Sequence, residues 1–141
     1  MELSAAARRL LTSPAPAHFV TINPDGGPQV AVIWVGLDGD EIVTAHLDPD
    51  QQKLRNIRRD PRVSLSIQSN HRNRHGLQEY MVIRGTARIT RGGAPELLQR
   101  LAHVYLGPDV RFPPMDDPPP GEITHVTIQR VGGLGNWTKA G

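Results

Sequence analysis

The sequence predicts a mainly β protein: an antiparallel barrel, closed or nearly so, of about six strands with helices on its outside. Three observations carry that expectation. Short runs in which apolar and polar residues alternate recur along the chain, as in Val63, Leu65 and Ile67 against Ser64, Ser66 and Gln68. Turn residues, above all Pro24-Asp25-Gly26-Gly27 and Asp38-Gly39-Asp40, separate consecutive runs. Helical periodicity is confined to three short stretches. Residues 1–141 contain no internal repeat and suit a single domain, large enough to bury a core without staples.

Each element has its own signals. Glu2 to Thr12 is expected as a helix, because Leu3, Ala6, Ala7, Leu10 and Leu11 share one face and Ser13-Pro14-Ala15-Pro16 stops it. His18 to Asn23 and Pro28 to Leu37 read as a hairpin across the Pro24–Gly27 turn, and Asp38-Gly39-Asp40 leads into a third strand, Glu41 to Leu47. A three-strand meander is the expectation. A basic helix lies within Asp48 to Val63, with Asp50 or Asp48 as its N-cap and Leu54 and Ile57 as a narrow apolar stripe. Pro61 ends it by pushing Asp60 out of the α region. Arg62 to Ser69 resumes the sheet, Asn70 to Gly76 is a polar, basic loop, and Leu77 to Thr90 is a long strand with a bulge at Gly85. Ala94 to Leu106 is a second amphipathic helix on Leu97, Leu98, Leu101, Val104 and Tyr105. Phe112 to Gly121, with five prolines and two aspartates, is expected as a mobile or polyproline-like loop before the last strand, Glu122 to Val131.

Composition removes several function classes. With no cysteine, disulfides, thiolate chemistry and zinc fingers are unavailable. His71 and His75 are four apart on a loop without a companion carboxylate, so no metal site is expected. The first residues lack the apolar core of a signal peptide and no apolar run approaches a membrane span, which leads to the expectation of a cytoplasmic protein without membrane contact. The net charge is +2 with a pI of about 9.5. Such mild basicity suits small anionic ligands, whereas nucleic-acid binding calls for a denser Lys and Arg stripe among aromatics.

The basic helix is the stretch with the most chemistry. A helix start presents unpaired N–H groups and partial positive charge, so a phosphate or carboxylate near Gln51, Gln52 and Lys53 would be favoured. The alternative is a solvated connector whose arginines serve solubility. Both readings stay open at the level of pattern.

The order of strand, turn, strand, turn, strand, then Lys53-Leu54-Arg55-Asn56-Ile57-Arg58-Arg59-Asp60-Pro61-Arg62, then a further strand, resembles the split β-barrel flavin and deazaflavin oxidoreductases. These are similar to pyridoxamine 5′-phosphate oxidase, with its FMN-binding split barrel. The helix segment is most similar to the actinobacterial branch that uses the 8-hydroxy-5-deazaflavin, coenzyme F420. The similarity runs over Ala17 to Ile89 and, more loosely, the last strand. It implies a homodimer that holds its cofactor between subunits and transfers a hydride between a deazaflavin and a small unsaturated substrate. Carried onto this chain, Lys53 would bind the phosphate, helped by Gln51, Gln52 and the backbone near His46 to Asp48, and Asn56 would also belong to the cofactor-binding set. Thr44 and His46 would line the ribityl path, and Val30, Val32 and Trp34 would face the ring. Tyr80 and Trp137 would approach the ring edge from the other subunit.

Two departures qualify the likeness. Asp48 and Asp50 stand close to the expected phosphate and would weaken it unless they point away or cap the helix. The tail Arg130 to Trp137 lacks the arginine-x-x-arginine-leucine ending with which pyridoxamine phosphate oxidases grip their substrate, which argues against that activity. No side-chain nucleophile or acid–base pair is recognisable, so catalytic residues are unassigned and the chemistry would be the cofactor's. Flavin mononucleotide in the same fold, or a non-catalytic flavin or deazaflavin carrier, are the alternatives. His71, Arg72, Arg74 and His75 could attract a glutamyl tail or form an ordinary solvated hairpin. Trp34 could meet a ring or pack in the core or a dimer interface, and Trp137 needs a partner surface in its own barrel or in the other subunit.

Overall fold

The computed structural model describes residues 2–139. Strands β1 (Ala17–Ile22), β2 (Pro28–Ile33), β3 (Gly36–Asp38), β4 (Glu41–His46), β5 (Arg62–Arg72), β6 (Gln78–Arg91) and β7 (Glu122–Leu134) form one antiparallel sheet in the order β2-β1-β5-β6-β7-β4-β3. Helices α1 (Ala5–Leu11), α2 (Gln52–Arg59) and α3 (Ala94–Tyr105) flank it. The two edge strands, β2 and β3, are consecutive in sequence and joined only by Trp34 and Val35. Three residues span at most about 11 Å, so the sheet must curl until its edges nearly meet. It is a split barrel, curled but not closed by hydrogen bonds.

That topology corrects the expected meander. The run Pro28 to Leu37 breaks after Ile33, giving seven strands rather than six; its last residues, as β3, keep the expected hairpin with β4, whose other side pairs with β7 rather than β2. The cause lies in α3. The Tyr105 hydroxyl accepts the Val35 N–H at 3.0 Å and donates to the Ala15 carbonyl at 2.9 Å, so the backbone of Val35 is satisfied by a side chain instead of a neighbouring strand. Trp34 stacks on Tyr105 with ring centroids 5.4 Å apart and meets the Phe112 edge at 5.3 Å. At Gly36 a Cβ would come within 2.9 Å of Leu101 Cδ2, so the absence of a side chain lets α3 lie against the bend.

Other differences are local. Leu3 does not enter the first helix but bridges to Thr138, and Ser4 caps α1 by accepting the Ala7 N–H at 3.1 Å. Asn70 to Arg72 extend β5, and the remaining turn is closed by Asn73, whose side chain accepts the N–H groups of His75 and Leu77 at 2.9 and 3.1 Å. The expected bulge is present: the β6–β7 register shifts between Arg84 and Gly85, where a Cβ would collide with the Thr127 carbonyl. Pro61 acts as expected, with Asp60 extended at the end of α2. The proline-rich segment contains no strand, but it is tied at both ends rather than loose. Phe112 N–H bonds Gln99 Oε1 at 3.0 Å, and the Pro120 carbonyl accepts Ala94 N–H at 3.0 Å.

The core fills the curl. Phe19, Leu65, Ile67, Met81, Ile83, Ile42 and Val126 point inward from the strands, and Leu54 and Ile57 from α2 close one end. Leu10 and Leu11 of α1 join the same cluster.

Candidate functional site

Helix α2 enters without the predicted cap. Gln51 occupies the N-cap position and makes no side-chain cap bond. The Asp48 carboxylate accepts the Asp50 N–H at 2.9 Å, and Asp50 pairs with Arg55. Asp50 is therefore neutralised within its own helix, and Asp48 turns its carboxylate onto its own loop.

The arginines of the helix are equally occupied. Arg55 bonds Asp50 and the Gln52 Oε1. Arg58 pairs with Glu122 of β7 and Arg59 bonds the Ile22 carbonyl of β1. Arg62 is held by Asp60, whose carboxyl is lowered to about 2 chiefly by that bond. What looked like a basic surface is mostly a set of struts. Lys53 is different: half-buried, it makes no hydrogen bond or ion pair among the described residues, and burial pushes its ammonium below the ordinary lysine range.

Lys53 lines a hollow of about 240 Å³ with Val32, Trp34, Thr44, Ala45 and Phe112. Strand β2 forms one wall, and as an edge strand it offers unpaired backbone N–H and C=O groups on its outer side. Strand β4 supplies Thr44, and α3 closes the back with Leu98 and Leu101. Four of the expected site residues, Lys53, Thr44, Val32 and Trp34, are thus brought together from distant parts of the chain. The others have different positions. His46 is buried and its Nε2 lies 2.9 Å from Thr124 Oγ1; burial and the nearby Lys53 cation depress it to about 3, so it is neutral at physiological pH. Gln51 bonds the Asp48 carbonyl and Gln52 bonds Asn56 and Arg55, so both amides turn onto their own loop and helix. Asn56 is fully buried, donating to Thr21 and Asn23 of the β1 region at 3.0 and 2.9 Å. Its role is to dock the helix.

Tyr80 and Trp137 sit apart from the hollow. Trp137 is only 5% exposed, packed in the core cluster of its own barrel, and its indole N–H donates to the Tyr80 carbonyl at 2.9 Å. Of the two surfaces expected for Trp137, its own barrel is the one it packs against. The Tyr80 side chain stays exposed on the outer sheet face. Phe112 and Tyr105 went unnoticed as site formers because one belongs to a proline-rich loop and the other to a helix stripe; an aromatic beside Pro113 was the available signal.

Val30 and Val32 are 57% and 62% exposed on β2, an apolar edge beside the hollow. The hollow falls short of the roughly 300 Å³ at which small-molecule pockets begin, so a ring-sized ligand needs the exposed edge, and a second surface over it, to be enclosed. The phosphate end of such a ligand fits the donors present: an unpartnered cation, a hydroxyl and a helix start. Among the described residues no His, Cys, Asp and Glu group of metal-binding size occurs, and no helix is long and apolar enough to cross a membrane.

Comparison with known proteins agrees with this fold. The family described as pyridoxamine 5′-phosphate oxidase matches residues 3–135. Among solved structures, the chain is similar to an F420 reductase at 26% identity, covering 92% of this chain and 98% of that one, with a TM-score of 0.71. It shares its fold with a conserved hypothetical protein from Mycobacterium tuberculosis at 23% identity, over 94% of this chain and 84% of that one, TM-score 0.71. The HupZ protein of Group A Streptococcus has the same fold at 18% identity, over 98% of each chain, TM-score 0.64. No curated protein matches the sequence.

Proposed function

Because the chain belongs to the pyridoxamine 5′-phosphate oxidase family, we propose that it is a homodimeric oxidoreductase that holds a deazaflavin, coenzyme F420, in the Lys53 hollow and reduces a small unsaturated substrate. One observation carries the reading. Of the five cations between Lys53 and Arg62, four are committed to protein partners and Lys53 is left half-buried beside a hydroxyl and a free helix start. A partly desolvated ammonium without a partner is unfavourable, and a ligand phosphate relieves that cost.

When bound, the deazaflavin supplies the hydride chemistry. The chain's own contribution is placement. Lys53 and Thr44 hold the phosphate end, the open backbone edge of β2 hydrogen-bonds the ring system, and Val32, Trp34 and Phe112 exclude water from its face. A second copy laid over Val30 and Val32 completes the enclosure. The similarity to an F420 reductase over nearly the whole chain supports the deazaflavin over flavin mononucleotide. One feature favours a second reading, a carrier without turnover: Lys53 is the sole titratable group among the lining residues, and with its ammonium committed to the phosphate no further side chain stands ready to donate a proton.

The test is a fluorescence titration of the protein with coenzyme F420 and, separately, with flavin mononucleotide. Tight binding of the deazaflavin, weakened in Lys53→Ala, is the expected result. Equal affinity in wild type and variant would sink the assignment. Turnover of the reduced coenzyme with a panel of enones then separates enzyme from carrier.

A further inference from the structure

The hollow beside Lys53 adjoins a second concavity across one strand pair. On β1 the residues Ala17 and Phe19 are buried, so the two-residue period of the strand turns His18 to the outer face, where its cross-strand partner on β2 is Val32. Cβ atoms of such a pair lie about 5 Å apart. Val32 lines the Lys53 hollow, whereas His18 lines a larger trough of about 780 Å³. The two concavities share no lining residue and meet at that pair.

The trough is bounded by α1 and the segment after it on one side and by the far end of β5 and the start of β6 on the other. Leu10 and Trp137, both nearly buried, give it an apolar floor, with Pro14 and Pro16 beside them. Its volume lies within the roughly 300–1,000 Å³ of small-molecule pockets. The charges are unbalanced. Glu79 is the one carboxylate in the lining and bonds His71 at 3.0 Å, while Arg9 takes part in no ion pair among the described residues. Its neighbour Arg8, by contrast, pairs with Asp40. His18 is likewise exposed and outside every ion pair among the described residues. The trough thus offers an imidazole where it meets the hollow, an apolar floor and one unmatched guanidinium on α1.

We propose that the trough is the substrate site of the reductase, that it takes a conjugated enone bearing a separate carboxylate, and that His18 is the proton donor. The inference rests on the Lys53 reading and on the second copy, which, laid over Val32, also stands over the His18 end of the trough. A ring held against Val32 places the substrate's C=C bond beside His18, the apolar floor takes the conjugated body, and Arg9 takes the carboxylate. The hollow's own cation is committed to phosphate, so the proton comes from the adjoining strand, from a side chain that exchanges protons near neutral pH. In the step the C=C π bond opens as the β-carbon receives a hydride from the reduced coenzyme and the α-carbon receives the imidazolium proton. Two C–H bonds form, the coenzyme is left oxidised, and solvent reprotonates His18. The ionisable groups that share the trough with His18 are Arg9 of α1, His71 of β5 and Glu79 of β6.

The experiment is a calorimetric titration of the full chain, loaded with oxidised coenzyme F420 so that no turnover occurs, with 4-carboxybenzylideneacetone and with benzylideneacetone, which lacks the carboxylate. The acid should bind at least about tenfold tighter than the neutral enone, and Arg9→Gln should remove that difference. His18→Gln should change the affinity of the acid by less than about threefold, yet slow its reduction by the reduced coenzyme about a hundredfold or more. Both side chains are exposed and unpaired, so both variants should fold and bind the coenzyme as the wild type does. Equal affinity for the two enones, or an acid affinity indifferent to Arg9→Gln, would overturn the substrate site, and an unchanged rate in His18→Gln would overturn the proton donor. Binding of the acid that appears only after Val32→Asp has dissociated the dimer would also overturn the site, because the second copy would then fill the trough. In each of these outcomes the coenzyme still binds and the Lys53 reading stands. Absence of coenzyme binding by the wild type would instead overturn the Lys53 reading and take the role of His18 with it.

Discussion

Asn56 Nδ2 donates to Thr21 Oγ1 across 3.0 Å with both residues fully buried, and this bond is the hinge pin between α2 and β1. The same amide also donates to Asn23 and accepts from Gln52, so its hydrogen-bonding capacity is used inside the protein. Asn56→Ala leaves the Thr21 hydroxyl buried without its partner and should cost about 2–3 kcal/mol of stability. Urea denaturation measures it; a loss below about 0.5 kcal/mol would show that α2 is held chiefly by Leu54 and Ile57.

Lys53 and Arg55 lie two residues apart in the same helix and should respond oppositely to substitution. Lys53→Met is expected to weaken cofactor binding by about 1.5–3 kcal/mol, through loss of one charge-assisted contact. Arg55→Met should change it by less than about 0.5 kcal/mol, since Arg55 is exposed and already paired with Asp50. Titrations of both variants with coenzyme F420 decide the matter.

His46 links stability to acid. Its folded value near 3 lies below the ordinary histidine value of 6.5 because burial and Lys53 oppose its charge. The unfolded chain therefore binds the extra proton first. Stability is full above about pH 6.5 and falls as pH drops toward 3, by up to about 1.4 kcal/mol per pH unit. His125, also depressed mainly by burial, acts with the same sign. Chemical denaturation between pH 7 and pH 5 should show this slope, with His46→Gln flatter than wild type; carboxylate titration adds little in that range. An unaltered slope in the variant would place the acid sensitivity elsewhere.

Tyr105→Phe keeps the stacking on Trp34 but removes the acceptor for the Val35 N–H. A loss of about 1–2 kcal/mol is expected, visible as a lower Tm. Because this hydroxyl holds the bend between β2 and β3, cofactor affinity should fall as well, although Tyr105 is absent from the hollow's lining.

Val32→Asp addresses the second copy. At 62% exposure the single chain should tolerate the aspartate with a small loss of stability. A dimer that covers this edge must bury the charge, so its dissociation constant should rise at least about tenfold on analytical ultracentrifugation. A dimer unaffected by Val32→Asp would have to use another face.

Much of the fold was legible in the chain because its causes are local. Pro61 ending α2, Gly85 at the bulge, the turn at Pro24 to Gly27 and the apolar stripe of α3 act within a few residues of themselves. The break after Ile33 was hidden, since its cause is the hydroxyl of Tyr105, 70 residues beyond Val35. The fate of Trp137 was hidden for the same reason. It packs in a cluster with Leu3, Ala7 and Leu10 from the opposite end of the chain.

The candidate site divides in the same way. By itself the sequence determined that a basic helix follows a strand, that Lys53 stands in its first turn, and that no side-chain nucleophile or thiol accompanies it. Only the tertiary structure decided which cation is left without a protein partner among the described residues. Arg58 finds Glu122 at a separation of 64 residues and Arg59 finds the Ile22 carbonyl at 37, while Lys53 finds no partner among the described residues. Helix propensity and turn chemistry are set by neighbours within one or two turns, whereas charge pairing and burial depend on which distant segments the curled sheet brings together.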